Sequence, residues 1–479
     1  MCVTNASYTR KPEIEPIRHG GWVRELGGKG MKQQTTMRVA IVAVLVIAAT
    51  VFAACGPRTE QATGPARDFT DNPWTDGQDL SGTTVQIFGA FVDEDARRFN
   101  RSMQPFIEAT GINVVYEGSG DFESLITVRV EGGSPPDMAA FPQPGLLGDF
   151  VAGGQVIDLN DWFSMDYLQQ QYDQSWLDMA TMDGIMAGFW HRANVKSLVW
   201  YPVQAWEEAG YQIPETWDEL MELSRQMVAN GHTPWSIGIE SAGATGWVGT
   251  DWIEDILLRV APVEVYDAWV TGDHRFDSPE VRRAFEVMGE IWFEPDFVVG
   301  GIDAIVGVPF GDAPNALFTN PPAAWMHRQA SFIPAFFPDG VQVGVDVDFF
   351  YLPPIDTDIA PRPVLGAGDI YGVFNDRPEV RALARFMTQG VSTRAWVEAG
   401  GFVSPHRDAD LAWYPTDIDR RFAEIIANAD PFRFDGSDLM PGPVGAGSFW
   451  SEITNYVNNY PNVPLQQTLR NIDASWPGR

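Results

Sequence analysis

Residues 83–141 read TTVQIFGAFVDEDARRFNRSMQPFIEATGINVVYEGSGDFESLITVRVEGGSPPDMAAF. Val85 and Ile87 alternate with polar neighbours over 83–88, the period of a strand. Ala96, Phe99, Met103, Phe106 and Ile107 recur at helical spacing over 93–110, with acids in the first turn and Gly111 after the last. Residues 112–116 read as a second strand, 122–130 as a helix stopped by Gly132-Gly133, and 137–141 as a third short strand. A β-α-β-α-β succession implies a parallel sheet, so the expected fold class is α/β.

Downstream, Thr216-Trp217-Asp218-Glu219 is a capping box opening a helix to about residue 229. Ser278-Pro279 starts another helix, with Val281, Ala284, Phe285, Met288, Ile291 and Trp292 on one face, and Arg377-Pro378-Glu379 starts a third. No internal repeat is evident.

Upstream, residues 31–55 read MKQQTTMRVAIVAVLVIAATVFAAC. Lys32 and Arg38 form a basic start, an apolar run follows over 39–54, and small residues precede Cys55, the layout of a signal peptide. The run is short for a spanning helix, which needs about 18 apolar residues. Phe52-Ala53-Ala54-Cys55 resembles a bacterial lipobox, with Phe52 where Leu is usual. It implies lipidation at Cys55; the competing reading is a secretory signal with a chance cysteine. Residues 1–30 precede this signal, and Met31 is the better start. Residues 55–82, rich in Pro, Gly, Thr and Asp, read as a tether from lipid to domain.

The 479 residues are 45% hydrophobic, enough for two lobes with cores of their own. A formal net charge of −32 repels nucleic-acid phosphates and anionic headgroups, excluding a nucleic-acid or polybasic membrane role. After Cys55 the single lysine is Lys196, which argues for a neutral or cationic ligand. Cys2 and Cys55 are the two cysteines, so a disulfide framework, a cysteine-metal site and a catalytic thiol are excluded from the body of the protein.

Enzyme motifs are lacking: there is no G-x-x-x-x-G-K-[ST] loop and no G-x-S-x-G elbow. The histidines lack H-x-x-x-H spacing, and neither Asp346/Asp348 nor Asp356/Asp358 sits in an EF-hand pattern, so no metal and no cofactor are expected. What stands out is aromatic load, with 18 Trp, 29 Phe and 12 Tyr. Residues 243–255, GATGWVGTDWIED, set Trp247 and Trp252 among Asp251, Glu254 and Asp255. A pyranose needs this mix, since its C–H face packs on an aromatic ring and its hydroxyls take carboxylate acceptors. The competing reading makes Trp252, Ile256 and Leu257 the core face of a helix starting near Thr250. Trp247 and Asp251 are the preferred site residues, with Trp252 beside them.

Several segments together resemble family 1 extracellular solute-binding proteins, most closely the alpha-glucoside-binding branch. They are GSGDF (118–122), PPDMAAFPQPGLL (135–147), VKSLVWYP (195–202), PETWDEL (214–220), PWSIGIESAGATGW (234–247), MHRQASF (326–332), AGDIYGVFNDRPEV (367–380), AGGFVSPH (399–406) and FRFDGSDLMPGPVGAG (432–447). The resemblance spans about residues 83–479. It implies a two-lobed periplasmic-binding-protein-like II fold with hinge crossings and a ligand cleft between the lobes. On that layout the first lobe comprises 83–196 plus 350–400, and the second 197–349 plus 401–479. Crossings fall near 194–200, 349–354 and 400–405.

The layout suggests further site residues. Asp93 or Glu94 stands after the first strand, either as a hydroxyl acceptor or as a helix N-terminal acid. Asp121 is an acceptor or an N-cap. Gln143 sits in a rigid Phe141-Pro142-Gln143-Pro144 turn. Trp200 and Tyr201 lie at the first crossing, where one should face the cleft. His327 is expected to reach the sugar, and Asp369 is the second preferred acid. The resemblance implies a sugar ligand, the transmembrane permease subunits of an ABC importer as partners, no catalytic residue, and a monomer tied to the membrane through Cys55. The alternatives are a secreted glycoside hydrolase, or a same-fold receptor for a cationic solute such as a polyamine, which acidic, Trp-rich clefts also suit.

Overall fold

In the computed structural model the described residues are 72–478. The suspected start at Met31, the signal segment 31–54 and the lipidation residue Cys55 lie outside them. Residues 72–82, read from sequence as part of the tether, pack against the core of the first sheet through Trp74 and Leu80. Trp74 packs tilted against Phe106 and edge-on to Phe386, and Arg385 pairs with Asp76.

The opening run folds as its periodicity dictates. Strand β1 (Thr84–Gly89), helix α1 (Asp93–Thr110), β2 (Asn113–Gly118), α2 (Phe122–Glu131) and β3 (Met138–Phe141) follow one another. β1 pairs in parallel with both β2 and β3. Helix α1 buries Phe99, Met103 and Phe106 and ends at Gly111, whose φ of 71° lets its N–H reach the Ile107 carbonyl.

The chain then leaves this sheet and returns. β4 (Gly188–Val195) runs into β5 (Leu198–Pro202) through Lys196-Ser197 alone. Beyond lie α3 (Trp217–Ala229), α4 (Trp247–Val260), α5 (Pro279–Trp292), β6 (His327–Arg328) and β7 (Val347–Tyr351). The Thr216/Glu219 capping box forms on α3, and Ser278 caps α5 with Pro279 behind it. β8 (Val364–Val373) re-enters the first sheet, followed by α6 (Pro378–Met387), β9 (Phe432–Phe434), α7 (Gly436–Leu439) and α8 (Trp450–Asn458).

The first sheet has six strands, β9-β8-β3-β1-β2, with β4 also antiparallel to β8; the second is the antiparallel set β6-β5-β7. One core gathers on the first sheet around Phe88, Phe99, Phe141, Trp190 and Tyr371. Another surrounds α4 and α5, with Trp235, Trp252 and Trp292 in contact. A smaller third core joins the crossing strands through Val195, Leu198, Trp200, Phe349 and Phe422. Among the described residues no helix is long and apolar enough to cross a membrane.

Candidate functional site

A cavity of about 170 Å³ opens at the carboxyl ends of β1, β2 and β3, the end at which open α/β sheets receive ligands. Phe91, Val92 and Asp95 come from the β1 end, Ser119, Gly120 and Glu123 from the β2 end, and Gln143 from the β3 end. Gly118 permits this convergence, because a Cβ there would collide with the Phe91 carbonyl. β4, the Lys196 that follows it, and β8 supply Arg192, Asn194, Lys196 and Asp369, and the rest of the wall is Trp247, Phe310, Phe332, Phe336, Asp438 and Trp450.

Helix α4 starts one turn earlier than its sequence pattern suggests. Gly246, at φ 116°, turns the chain into it, and a Cβ there would strike the Trp450 carbonyl. Trp247 therefore begins the helix and faces the cavity, edge-on to Phe310 at 5.2 Å and tilted against Phe332 at 6.0 Å. One turn further in, Asp251 accepts a hydrogen bond from Lys196 Nζ at 2.8 Å.

Two ion networks underlie this wall. In the first, Arg192 Nε donates to Asp369 Oδ2 at 2.6 Å and Nη1 to Asp95 Oδ2 at 3.0 Å. Antiparallel pairing sets Asp369 opposite Arg192, and a register shift follows immediately, before Ile370. Such an irregularity re-aims the side chains beside it. Burial raises the Asp369 carboxyl against the pull of Arg192. In the second network, Lys196 also pairs with Asp435, and its Nζ stands 5.4 Å from the Trp247 ring centroid. Asp255 pairs with Arg259 and Arg328. Burial and neighbouring carboxylates push Glu254 and Asp438 well up, while Lys196, overcoming the opposing effect of burial, holds Asp435 low. Asp251, Glu254 and Asp435 approach within 4.8 Å of one another, the kind of spacing a metal uses. Here the ammonium of Lys196, bonded to two of the three, supplies the positive charge.

Four buried lining residues carry a polar atom with no hydrogen-bond partner among the described residues: Gln143 Oε1, Asn194 Oδ1, Asp369 Oδ1 and Trp450 Nε1. Three are acceptors and one a donor. Desolvation lifts Glu123, beside them, to about 7.

Of the residues singled out from sequence, the structure brings Gln143, Trp247 and Asp369 to the cavity. Asp251 lies behind its wall, paired with Lys196. Asp121 stands at the rim and accepts from the Gly243 N–H at 3.0 Å, linking the loop after β2 to the segment before α4. The others lie elsewhere, each for a local reason. Asp93 is exposed, and Glu94 is held by Arg97, Arg98 and Arg101, because the helix turns both outward and presents Asp95 instead. Trp200 is wholly buried, bonding the Gln329 carbonyl and packing on Phe349, while Tyr201 packs on Trp206 and Phe350, so neither faces the cavity. Trp252 is core between Trp235 and Trp292. His327 is buried against the Ser236 carbonyl, and burial lowers it to about 4. The sequence reading missed Asp95, Arg192, Asn194, Asp438 and Trp450. The clue available for Arg192 was its place two residues from Asn194, at the entry to a crossing.

A 43% identical relative, the osmoprotective compounds-binding protein GgtB of Synechocystis, aligns over 82% of this chain and 92% of its own length. The alpha-glucosides-binding periplasmic protein AglE of Rhizobium meliloti is 41% identical over 80% of this chain and 85% of its own. Among solved structures, the bacterial solute receptor AcbH, described as preferring β-D-galactopyranose, superposes with a TM-score of 0.70 at 17% identity, covering 82% of this chain and 98% of that one. The family model for bacterial extracellular solute-binding proteins matches residues 95–389, and this chain belongs to that family.

Proposed function

We propose that this protein is the extracytoplasmic capture subunit of an ABC carbohydrate importer, that it takes an alpha-glucoside of two or more sugar units into the interlobe cavity, and that it is not an enzyme. The observation that carries the reading is the cavity itself: an aromatic wall of Trp247, Phe310 and Phe332 facing buried acceptors that lack partners. A sugar ring stacks on the first and donates its hydroxyls to the second. The alpha-glucoside assignment follows the likeness to AglE.

The mechanism is a population shift. Ligand touches both lobes, binds the closed form better, and draws the protein into it. The closed face then docks on the permease. Lipidation at Cys55, with a tether ending near residue 72, would keep the monomer at the membrane surface. Mass analysis of the mature N-terminal peptide tests the anchor, and finding no lipid on Cys55 removes it.

Thermal melting of the purified protein with maltose, trehalose and sucrose, and with a polyamine as control, tests the ligand class. A ligand that binds only the folded state raises Tm by mass action. A rise with a disaccharide and no product formed supports capture. A rise with the polyamine alone overturns the sugar assignment, and released glucose would make the protein a hydrolase.

A further inference from the structure

We propose that Asp95 and Asp369 form a charge filter over the Arg192 guanidinium, so that the cavity takes an uncharged polyhydroxylated ligand and rejects the same ligand carrying a carboxylate. The inference rests on the sugar reading above and adds which sugars enter.

An arginine in a ligand cavity is ordinarily an anion site, because its planar fork matches a carboxylate or phosphate. Here its charge is already matched by two carboxylates, which take two of its five N–H donors. Nε is bonded to Asp369 at 2.6 Å and Nη1 to Asp95 at 3.0 Å. Aromatic rings hold the guanidinium in that orientation, with the Phe91 centroid at 4.4 Å and that of Trp396 at 5.3 Å. All three charged side chains are more than nine-tenths buried. Lys196, the other cation lining the cavity, is likewise bonded to Asp251 and Asp435.

Among the buried lining atoms without a partner, a ligand entering meets three acceptors and one neutral donor, Trp450 Nε1. Asp369 Oδ1 is buried and without a partner, and Asn194 Oδ1 and Gln143 Oε1 are in the same state. A hydroxyl donor satisfies such oxygens, and its bond to Asp369 is charge-assisted. A carboxylate brings only further acceptors, and its charge is buried with the nearby cations already committed. Asp369 would thus touch ligand. Asp95 is a positioning residue that acts by occupying Arg192.

The test is isothermal titration of the full chain with whichever of trehalose, maltose or sucrose it binds, and with that disaccharide after one CH2OH is oxidised to the carboxylate. The pair differ in charge at nearly constant size. The readout is the ratio of the two dissociation constants, which cancels general damage to the cavity. In the wild-type protein the oxidised sugar is expected to bind ~100-fold more weakly, and Asp95→Asn, which removes one of the two negative charges balancing Arg192, narrows that ratio by ~10-fold. Asp369→Asn is the second variant should the first fail to fold, with circular dichroism as the check on both. Adding Arg192→Met to either variant restores the wild-type ratio, which a merely structural role does not predict. Equal binding of the two sugars by the wild type overturns the filter alone, as does an unchanged ratio in folded Asn variants. If the wild type binds none of the disaccharides, the sugar reading falls and the filter falls with it.

Discussion

The two buried ion networks lie side by side and differ in what surrounds them. Asp95–Arg192–Asp369 borders the cavity, sits among aromatic rings and leaves one carboxylate oxygen without a partner. The network around Arg259 lies deeper. Its guanidinium donates to Asp255 and to the carbonyls of Leu352, Pro353 and Pro363, tying α4 to the segment that leads from β7 back to β8. The same chemical pair, guanidinium and carboxylate, holds a chain crossing in one place and presents an acceptor in the other. What decides between these roles is where the remaining groups face: the other N–H groups of Arg259 meet backbone carbonyls, whereas Asp369 Oδ1 is left without a partner beside the cavity.

The sharpest way to break this contrast is Arg259→Met. It strands the carbonyls of Leu352, Pro353 and Pro363 and leaves Asp255 with Arg328 and Ser197 alone, and breaking a buried pair costs about 3–5 kcal/mol. Urea unfolding should show that loss; a change below about 1 kcal/mol would mean that the deep network does not hold the crossing.

Acid should weaken the fold in a window set by buried histidines in neither network. His327 is lowered to about 4 by burial, which the Ser236 carbonyl opposes. As pH falls from 6.5 the unfolded chain takes up a proton that the folded histidine refuses. Stability is therefore full above pH 6.5 and declines until pH reaches the folded value, by about 3 kcal/mol. His406, lowered by burial to about 3, extends the decline further. Melting curves from pH 7 to 4 check this, and His327→Gln should flatten part of the slope. An unaltered slope would remove His327 as its source.

Smaller in stability but specific to the cavity is Trp247→Ala. Loss of the stacking face should weaken sugar binding by about tenfold, while Tm falls much less than in Arg259→Met. Equal loss of fold and binding would assign Trp247 to the core. The smallest effect is expected at the rim. Asp121→Ala removes one exposed hydrogen bond across the rim to Gly243, about 0.5–1.5 kcal/mol, and titration should show a few-fold weaker affinity with unfolding unchanged. No change in affinity would show that this contact does not favour closure.

The sites differed in how far their residues spoke for themselves. Trp247 and Trp252 stand five apart in one segment of similar composition, yet one lines the cavity and the other fills the core. Five residues turn a helix by about 500°, which leaves the two side chains well apart around the axis. Which direction is inward depends on α5 and Trp235, remote in sequence. The acids after β1 give a similar lesson. Asp93, Glu94 and Asp95 are equivalent in composition, but only Asp95 points at a strand that carries an arginine.

By itself the sequence determined the local elements: the alternation of β1, the apolar stripe and terminal glycine of α1, the capping box of α3, and the parallel order those imply. Each depends on residues within a few positions of one another, where periodicity and capping act. The tertiary structure alone decided which polar groups share the cavity. Arg192, Asp369 and Asp95 come from three elements separated by up to 274 positions in the chain, and they meet only because β4 and β8 pair antiparallel beside the end of β1. Burial then turns ordinary side chains into unsatisfied acceptors, a property of surroundings that no single residue carries.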